Sequence, residues 1–353
     1  MQVTSIVGAR PQFIKSAPVS RALQAAGHEE YLIHTGQHYD YGMSDIFFDQ
    51  MKLTRPHGNL RVGSEPPGKQ TALMLMGLES AFRNLKPDCV LVYGDTNSTL
   101  AAALAARKMG ISLAHVEAGL RSFNREMPEE HNRVLTDHCS DVLLCPTETA
   151  LKNLEAENIT DGVYLTGDVM VDAILMFEAS AEQQGWETFG LRQDEYALAT
   201  IHRPSNVDDP DTLERILSAL DRLSLPVVLP VHPRTRKGID SIDGDFANVE
   251  FIDPVGYLDM LLLEKNAHVI VTDSGGIQKE AYVLGVPCVT IRAETEWTET
   301  LVDGWNVLVG SDPERIVQGV EARINWILPP GKQDVFGDGT AAEKITNILS
   351  NHI

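Results

Sequence analysis

Apolar, β-rich runs alternate with amphipathic helical stretches along the whole chain, and that alternation leaves few folds open to it. In the first half the runs are Gln2–Val7, Glu30–His34, Cys89–Tyr93, Ser112–Val116 and Val142–Cys145. Stretches with helical periodicity, such as Phe13–Ala26, Gln70–Asn84 and Thr99–Lys108, lie between them. After Val163–Thr166 a second series begins: Tyr196–Ile201, Pro226–Pro230, Val249–Ile252, His268–Thr272 and Pro287–Ile291. Strand and helix in strict turn predict parallel sheets with crossover helices, an α/β fold. Two successive series predict two Rossmann-like, doubly wound domains with a cleft between them, residues 1–167 and 168–335. The Gly-rich break Gly331–Gly339 precedes a last helix, Thr340–Ser350, which the pattern alone leaves open to either domain.

The length agrees: 353 residues exceed one comfortable core at roughly 150 residues per domain. No apolar run approaches the ~18 residues of a membrane helix. Met1–Val7 has no basic head and reads as a first strand, not a signal peptide. Cys89, Cys139, Cys145 and Cys288 lack CxxC or zinc-like spacing, so they are expected to be reduced thiols of a cytoplasmic protein. A formal charge of −21 argues against a nucleic-acid partner. It also demands that any site for an anion carry its own cations or helix N-termini.

In open α/β sheets ligands bind beyond the carboxyl ends of the strands. The residues there are polar and particular: Gly8-Ala9-Arg10-Pro11, Gly94-Asp95-Thr96, Glu117-Ala118-Gly119, His202-Arg203, His232-Pro233 and Asp273-Ser274-Gly275-Gly276. Ser274, Gly275 and Gly276 open a helix, whose free N–H groups are either capped by the Asp273 or Ser274 side chain or cradle a phosphate, and the segment serves either reading. Glu280, a turn further on, can accept sugar hydroxyls or simply face solvent. Arg10 and Lys15 can meet phosphates or form ordinary surface ion pairs. The first strand lacks GxGxxG, so the dinucleotide fingerprint is absent. Asp95 read alone is first a helix cap. Glu117 has less structural excuse, since Glu caps poorly. Glu129, in Pro128-Glu129-Glu130, also suits the first turn of a helix. These acids, without a zinc motif, nucleophile elbow or Walker loop, point to proton transfer. His34 and His38 are spaced as metal ligands can be, but Gly36 intervenes and no acid is placed beside them, so no metal is expected.

Taken in order, the motifs resemble the non-hydrolysing UDP-N-acetylglucosamine 2-epimerases. Thr35-Gly36-Gln37-His38, His115-Val116-Glu117-Ala118-Gly119-Leu120-Arg121, Pro146-Thr147-Glu148, Pro230-Val231-His232-Pro233 and Gly337-Asp338-Gly339 join those above. The resemblance spans nearly the whole chain. It implies a glycosyltransferase-B-like fold whose last helix, in residues 336–353, crosses back to the N-terminal domain. It implies Asp95, Glu117, Glu129 and His202 as the catalytic set. Arg10, Lys15, Ser274, Gly275, Gly276 and Glu280 become UDP-sugar contacts, and Gln37, His38, Arg203 and His232 contacts to a second, activating UDP-GlcNAc. No cofactor is implied, and a homodimer is expected.

The implied reaction eliminates UDP to a 2-acetamidoglucal and re-adds it, inverting C2 and interconverting UDP-GlcNAc and UDP-ManNAc. Val255, Met260 and Trp297 depart from the family pattern, Trp297 standing where other members have Arg. With Arg121-Ser122-Phe123-Asn124 they resemble the branch acting on UDP-2,3-diacetamido-2,3-dideoxyglucuronate, a rival substrate for the same chemistry. A glycosyltransferase of this fold would not need the clustered acids and His202. A nucleotide-sugar sensor would keep the fold without turnover. A hydrolysing epimerase with its fused kinase would need a longer chain.

Overall fold

The structure, a computed structural model, describes residues 1–37, 55–183, 189–326 and 334–353. Its strands form two parallel sheets. The first has seven strands in the order β3-β2-β1-β4-β5-β6-β7. They are β1 Gln2–Val7, β2 Glu29–His34, β3 Gly58–Asn59, β4 Cys89–Tyr93, β5 Ser112–Val116, β6 Val142–Cys145 and β7 Val163–Leu165. The second has six in the order β10-β9-β8-β11-β12-β13. These are β8 Ala197–Thr200, β9 Val227–Pro230, β10 Val249–Ile252, β11 Val269–Thr272, β12 Cys288–Thr290 and β13 Asn306–Leu308. The short β3 and β13 escaped the sequence reading, because two or three residues are too few to show a period.

Both sheets start in the middle, add strands to one side, and then cross back to the other. Val3 on β1 is therefore flanked by Glu30 on β2 and Cys89 on β4, both in parallel register. The reversal creates a switch point between β1 and β4, and another between β8 and β11. At such points the connecting loops diverge, and open α/β sheets bind ligands there, beyond the strand ends. The central strands are buried on both faces, every residue of Cys89–Tyr93 included, which is why they read as unbroken apolar runs.

Along the chain the first helices are α1 Arg10–Ala25, α2 Pro67–Leu85, α3 Asn97–Met109, α4 Pro128–Cys139 and α5 Glu148–Ala156. Next come α6 Val169–Glu182, α7 Pro204–Val207, α8 Pro210–Asp221, α9 Pro233–Ile239, α10 Tyr257–Asn266, α11 Gly275–Leu284, α12 Pro313–Ile324 and α13 Ala341–His352. Local chemistry sets their ends. Thr96, Thr147, Asp209 and Asp312 cap α3, α5, α8 and α12 through side-chain oxygens, and Gly110 ends α3 in the left-handed region. Ala101, Ala102, Ala103, Ala105 and Ala106 give α3 a thin buried face, so it lies close against α2 and the sheet. Among the described residues no helix is long and apolar enough to cross a membrane.

The chain divides into Met1–Met176 with Asp334–Ile353, and Phe177–Gln333. The division falls inside α6, nine residues beyond the expected Gly167, and physical anchors explain the shift. The Asp168 N–H donates to the Phe336 carbonyl at 2.8 Å, and the Asp172 carboxylate accepts the N–H groups of Ala341 and Ala342, at 3.2 and 2.8 Å. The start of α6 is thereby tied to the start of α13. That last helix packs on α1, with His28 bonded to Ser350 at 2.8 Å.

Candidate active site

In the first unit the tip of β1 is organised by a residue that the sequence did not single out. Gln12 is buried, and its side-chain oxygen accepts the Gly8 and Ala9 N–H groups at 2.7 and 3.1 Å. Its amide nitrogen donates to the Tyr93 carbonyl, Thr96 Oγ1 and Thr99 Oγ1 at 2.7, 3.0 and 3.0 Å. One amide thus ties β1 to β4 across the switch point. Arg10 opens α1 at that tip, half-buried.

Glu117 follows β5 directly and is ion-paired with Lys15 of α1, both side chains nearly buried. Its backbone is left-handed, φ +73°, a region costly for a side-chain-bearing residue. Gly94 beside it is also left-handed, φ +60°, where a side chain is strained, and a Cβ there would crowd Glu117 Oε2 at 3.1 Å. Asp95, the next residue, is 30% exposed at its side chain and receives Arg133 Nη2 at 2.5 Å and Nε at 3.2 Å. Asn132 Nδ2 holds the Asp95 carbonyl at 2.9 Å. Asp95 therefore does not cap α3; Thr96 does.

The two neighbouring acids of α4 differ. Glu129 is exposed in the first turn, while Glu130 is buried and braces the preceding loop. Glu130 accepts the N–H groups of Ser122 and Phe123 at 2.9 Å each, and Arg133 Nη1 at 3.1 Å. Behind Glu117 lies a buried charge network. Asp137 accepts from His115 at 2.7 Å, Arg121 at 2.7 Å and the Gly119 N–H at 3.1 Å. Arg121 is forked onto Glu157 at 2.6 and 2.8 Å. Burial pushes the Asp137 carboxyl up, but the hydrogen bonds and charges of His115 and Arg121 outweigh it, and the acid is held below its usual range. Of the expected activator contacts, Gln37 offers its side-chain oxygen to Ser98 N and Oγ at 3.0 and 2.6 Å. His38 lies outside the described residues.

In the second unit His202 follows the β8 strand end, and Asp273 follows β11. Asp273 is fully buried and accepts His202 Nδ1 at 3.0 Å, together with backbone N–H groups of His202 and Arg203 at 3.0 and 2.9 Å. Asn206 adds a further bond at 3.0 Å. Burial raises the Asp273 carboxyl, yet His202 and these donors pull it below its ordinary value. With Nδ1 committed to Asp273, any proton transfer by the His202 ring falls to Nε2. Asp273 read as a helix cap in the sequence; the structure makes it the orienting partner of His202. The His202 and His232 rings lie 5.7 Å apart, and His232 caps α9 by accepting the Arg234 N–H at 3.1 Å. Arg203 bonds the Asp273 carbonyl at 3.2 Å.

Ser274 accepts the Ile277 N–H at the start of α11, 3.5 Å away, leaving the Gly275 and Gly276 N–H groups in the first helical turn. The glycines are not equivalent. A Cβ on Gly275 would stand 2.5 Å from Glu296 Oε1, whereas one on Gly276 meets nothing nearer than 3.7 Å. Glu296 is held by Arg292 at 2.9 Å. Glu280, buried one turn on, accepts the Tyr257 hydroxyl. Trp297 is buried with Lys279 Nζ 3.8 Å above its ring, and Val255 and Met260 pack on the second core. Among the described residues no three His, Cys, Asp or Glu side chains are grouped to hold a metal ion.

The profile of the UDP-N-acetylglucosamine 2-epimerase family matches residues 21–350. A UDP-N-acetylglucosamine 2-epimerase homolog of Methanococcus maripaludis is 48% identical, over 99% of this chain and 100% of its own length. The UDP-2,3-diacetamido-2,3-dideoxy-D-glucuronate 2-epimerase of Pseudomonas aeruginosa is 45% identical, over 99% of both chains. The crystal structure of the Methanocaldococcus jannaschii UDP-GlcNAc 2-epimerase, in complex with UDP-GlcNAc and UDP, superposes with a TM-score of 0.93. It is 41% identical and covers 99% of this chain and 100% of that one. With two Rossmann-like units in a glycosyltransferase-B-like chain, matched from end to end, this protein belongs to the UDP-N-acetylglucosamine 2-epimerase family, whose members are isomerases.

Proposed function

We propose that the protein interconverts UDP-GlcNAc and UDP-ManNAc without hydrolysis. The observation that carries this reading is the pair of strand-end carboxylates, Glu117 and Asp95, each answered by one cation, Lys15 and Arg133. Such pairs fix where each carboxylate points, and a general base must be aimed at the proton it takes. The C2 proton of a 2-acetamido sugar is weakly acidic, so its loss is coupled to departure of UDP from C1. The C–H electron pair becomes the C1–C2 double bond of a 2-acetamidoglucal, and the C1–O bond breaks onto the diphosphate. In reverse, UDP attacks C1 and a proton arrives at C2 from the opposite face.

We assign Asp95 and Glu117 to C2, with Glu129 in support, and His202 Nε2 to the leaving phosphate. The Ser274, Gly275 and Gly276 N–H groups and Arg10 take the diphosphate charge, and Glu280 accepts ribose hydroxyls. Lys15 has two claims on its ammonium, the Glu117 carboxylate and the diphosphate, and exchange between them would release Glu117 once substrate is bound. No cofactor is required. A second UDP-GlcNAc is proposed as activator at Gln37, His38, Arg203 and His232, in a cytoplasmic homodimer. Four unpaired cysteines accord with that compartment, burial pushing Cys89 and Cys288 up to about 12.

Incubation with UDP-GlcNAc in D₂O, followed by NMR, should give UDP-ManNAc and deuterium at C2 of both sugars. A second substrate, UDP-2,3-diacetamido-2,3-dideoxyglucuronate, is favoured by Trp297, buried against Lys279 where other members carry Arg. It is run in parallel. If neither sugar inverts or takes up deuterium, the epimerase reading is lost. Sugar transfer to an added acceptor would point to a glycosyltransferase instead.

A further inference from the structure

His115 is fully buried on β5, two residues before Glu117, and the chemistry above makes no use of it. Both of its ring nitrogens face acceptors. Nδ1 lies 2.7 Å from Asp137 Oδ1, and Nε2 lies 2.8 Å from the Gly94 carbonyl oxygen. A carbonyl oxygen cannot donate, so Nε2 carries a hydrogen. Asp137 already accepts Arg121 and the Gly119 N–H on its other oxygen, which keeps it a carboxylate, so Nδ1 carries a hydrogen too. A neutral ring would set one lone pair against an oxygen in a fully buried place.

The contacts reach both sides of the proposed proton-transfer centre. Gly94 immediately precedes Asp95, and its own N–H donates to the Val116 carbonyl at 3.0 Å. Gly119, held by Asp137, closes the turn that begins with Glu117 in its left-handed conformation.

We infer that His115 is a buried imidazolium that acts as a positioning residue, clamping the β4 tip to the Glu117 turn through Gly94 and Asp137. Asp95 and Glu117 are thereby set relative to each other by one doubly donating ring. The charged and titratable groups linked to the ring are Asp137 of α4, bonded to it, Arg121 of the turn, bonded to Asp137, and Glu157 at the end of α5, bonded to Arg121; Cys145 of β6 feels the charges of Asp137 and Arg121. The inference rests on the reading that Asp95 and Glu117 move the C2 proton.

The test joins a spectroscopic and a kinetic measurement on the whole protein. Side-chain ¹⁵N NMR under assay conditions should show both nitrogens of His115 protonated, and Asp137→Asn should remove one of those protons. His115→Phe should lower kcat about 10²-fold while KM and UDP affinity stay within about threefold, since small misplacements of reacting groups cost that much. His115→Gln, which keeps one donor for Gly94, should recover part of the loss. A singly protonated ring in the wild-type protein overturns the inference, and so does a Phe variant with unchanged kcat. If the Phe variant does not fold, the spectrum of the wild-type protein still decides. Full activity in Asp95→Asn and Glu117→Gln would instead remove the proton-transfer reading, with the NMR result for His115 standing apart from it.

Discussion

The two units hold the acids at their strand ends in different ways. In the first, those at and behind the strand ends are met by side-chain cations: Glu117 by Lys15, Asp95 and Glu130 by Arg133, Asp137 by Arg121 and His115. In the second, Asp273 is held largely by backbone N–H groups and His202, and Glu280 accepts a tyrosine hydroxyl. Glu264 of α10 is fully buried, and among the described residues neither of its oxygens has a hydrogen-bond partner. Burial and the neighbouring Glu280 charge push its carboxyl well above the usual range. The contrast teaches a division of labour. In the proposed reaction the cation-paired acids serve proton transfer, whereas dipoles and bare backbone suit the capture of an anion.

The largest effect should come from breaking the first arrangement. Glu117→Gln removes the base but keeps its shape, and kcat should fall about 10²–10⁴-fold with KM little changed. C2 deuterium uptake measures it, and a rate above a tenth of wild type would end the assignment of Glu117 to C2.

The second prediction concerns Glu264. Replacing a buried, unpartnered carboxyl by an apolar side chain of similar size removes a desolvation cost of about 1–3 kcal/mol. Glu264→Leu should therefore raise stability in chemical denaturation, and equal or lower stability would contradict the account. The pH dependence sharpens the comparison. Because the Glu264 carboxyl is raised in the folded state, its contribution is full below the unfolded Glu value near ~4.3 and is lost as pH climbs toward the raised one. Asp137 and Asp273 are depressed, so theirs is present above the unfolded Asp value near ~3.9 and is lost as pH falls. Denaturation midpoints from about pH 2 to 8 should show the alkaline decline flattened in Glu264→Leu and the acid decline, which falls below about pH 4, untouched.

The smallest effect separates two adjacent glycines. Gly276→Ala has room within the protein, so its melting temperature should stay within about a degree. Its methyl group stands where a diphosphate would approach, and UDP affinity by calorimetry should drop about tenfold, or roughly 1.4 kcal/mol. Gly275→Ala must displace Glu296 from Arg292 and should lower the melting temperature instead. Equal behaviour of the two would remove the case for bare backbone as the phosphate cradle.

Much of this was legible in one dimension, because strand burial and helix periodicity are local properties. The runs of Val, Ile and Leu located both sheets, and the polar residues after them marked where ligands bind. Glu117 stood out because glutamate has no local reason to follow a strand there. The structure decided which acids are paired and which are bare. Lys15 meets Glu117 and Asp137 meets His115 only because crossover connections bring residues 102 and 22 positions apart into contact. It also separated Glu129 from Glu130, adjacent in sequence but opposite in exposure, and moved the division of the chain into α6, where Asp172 is bound to α13. Composition and period are written along the chain and set the architecture. The protonation state and aim of each acid depend on neighbours that only folding supplies, since a charge answers to what lies within a few ångströms of it, whatever the distance along the chain.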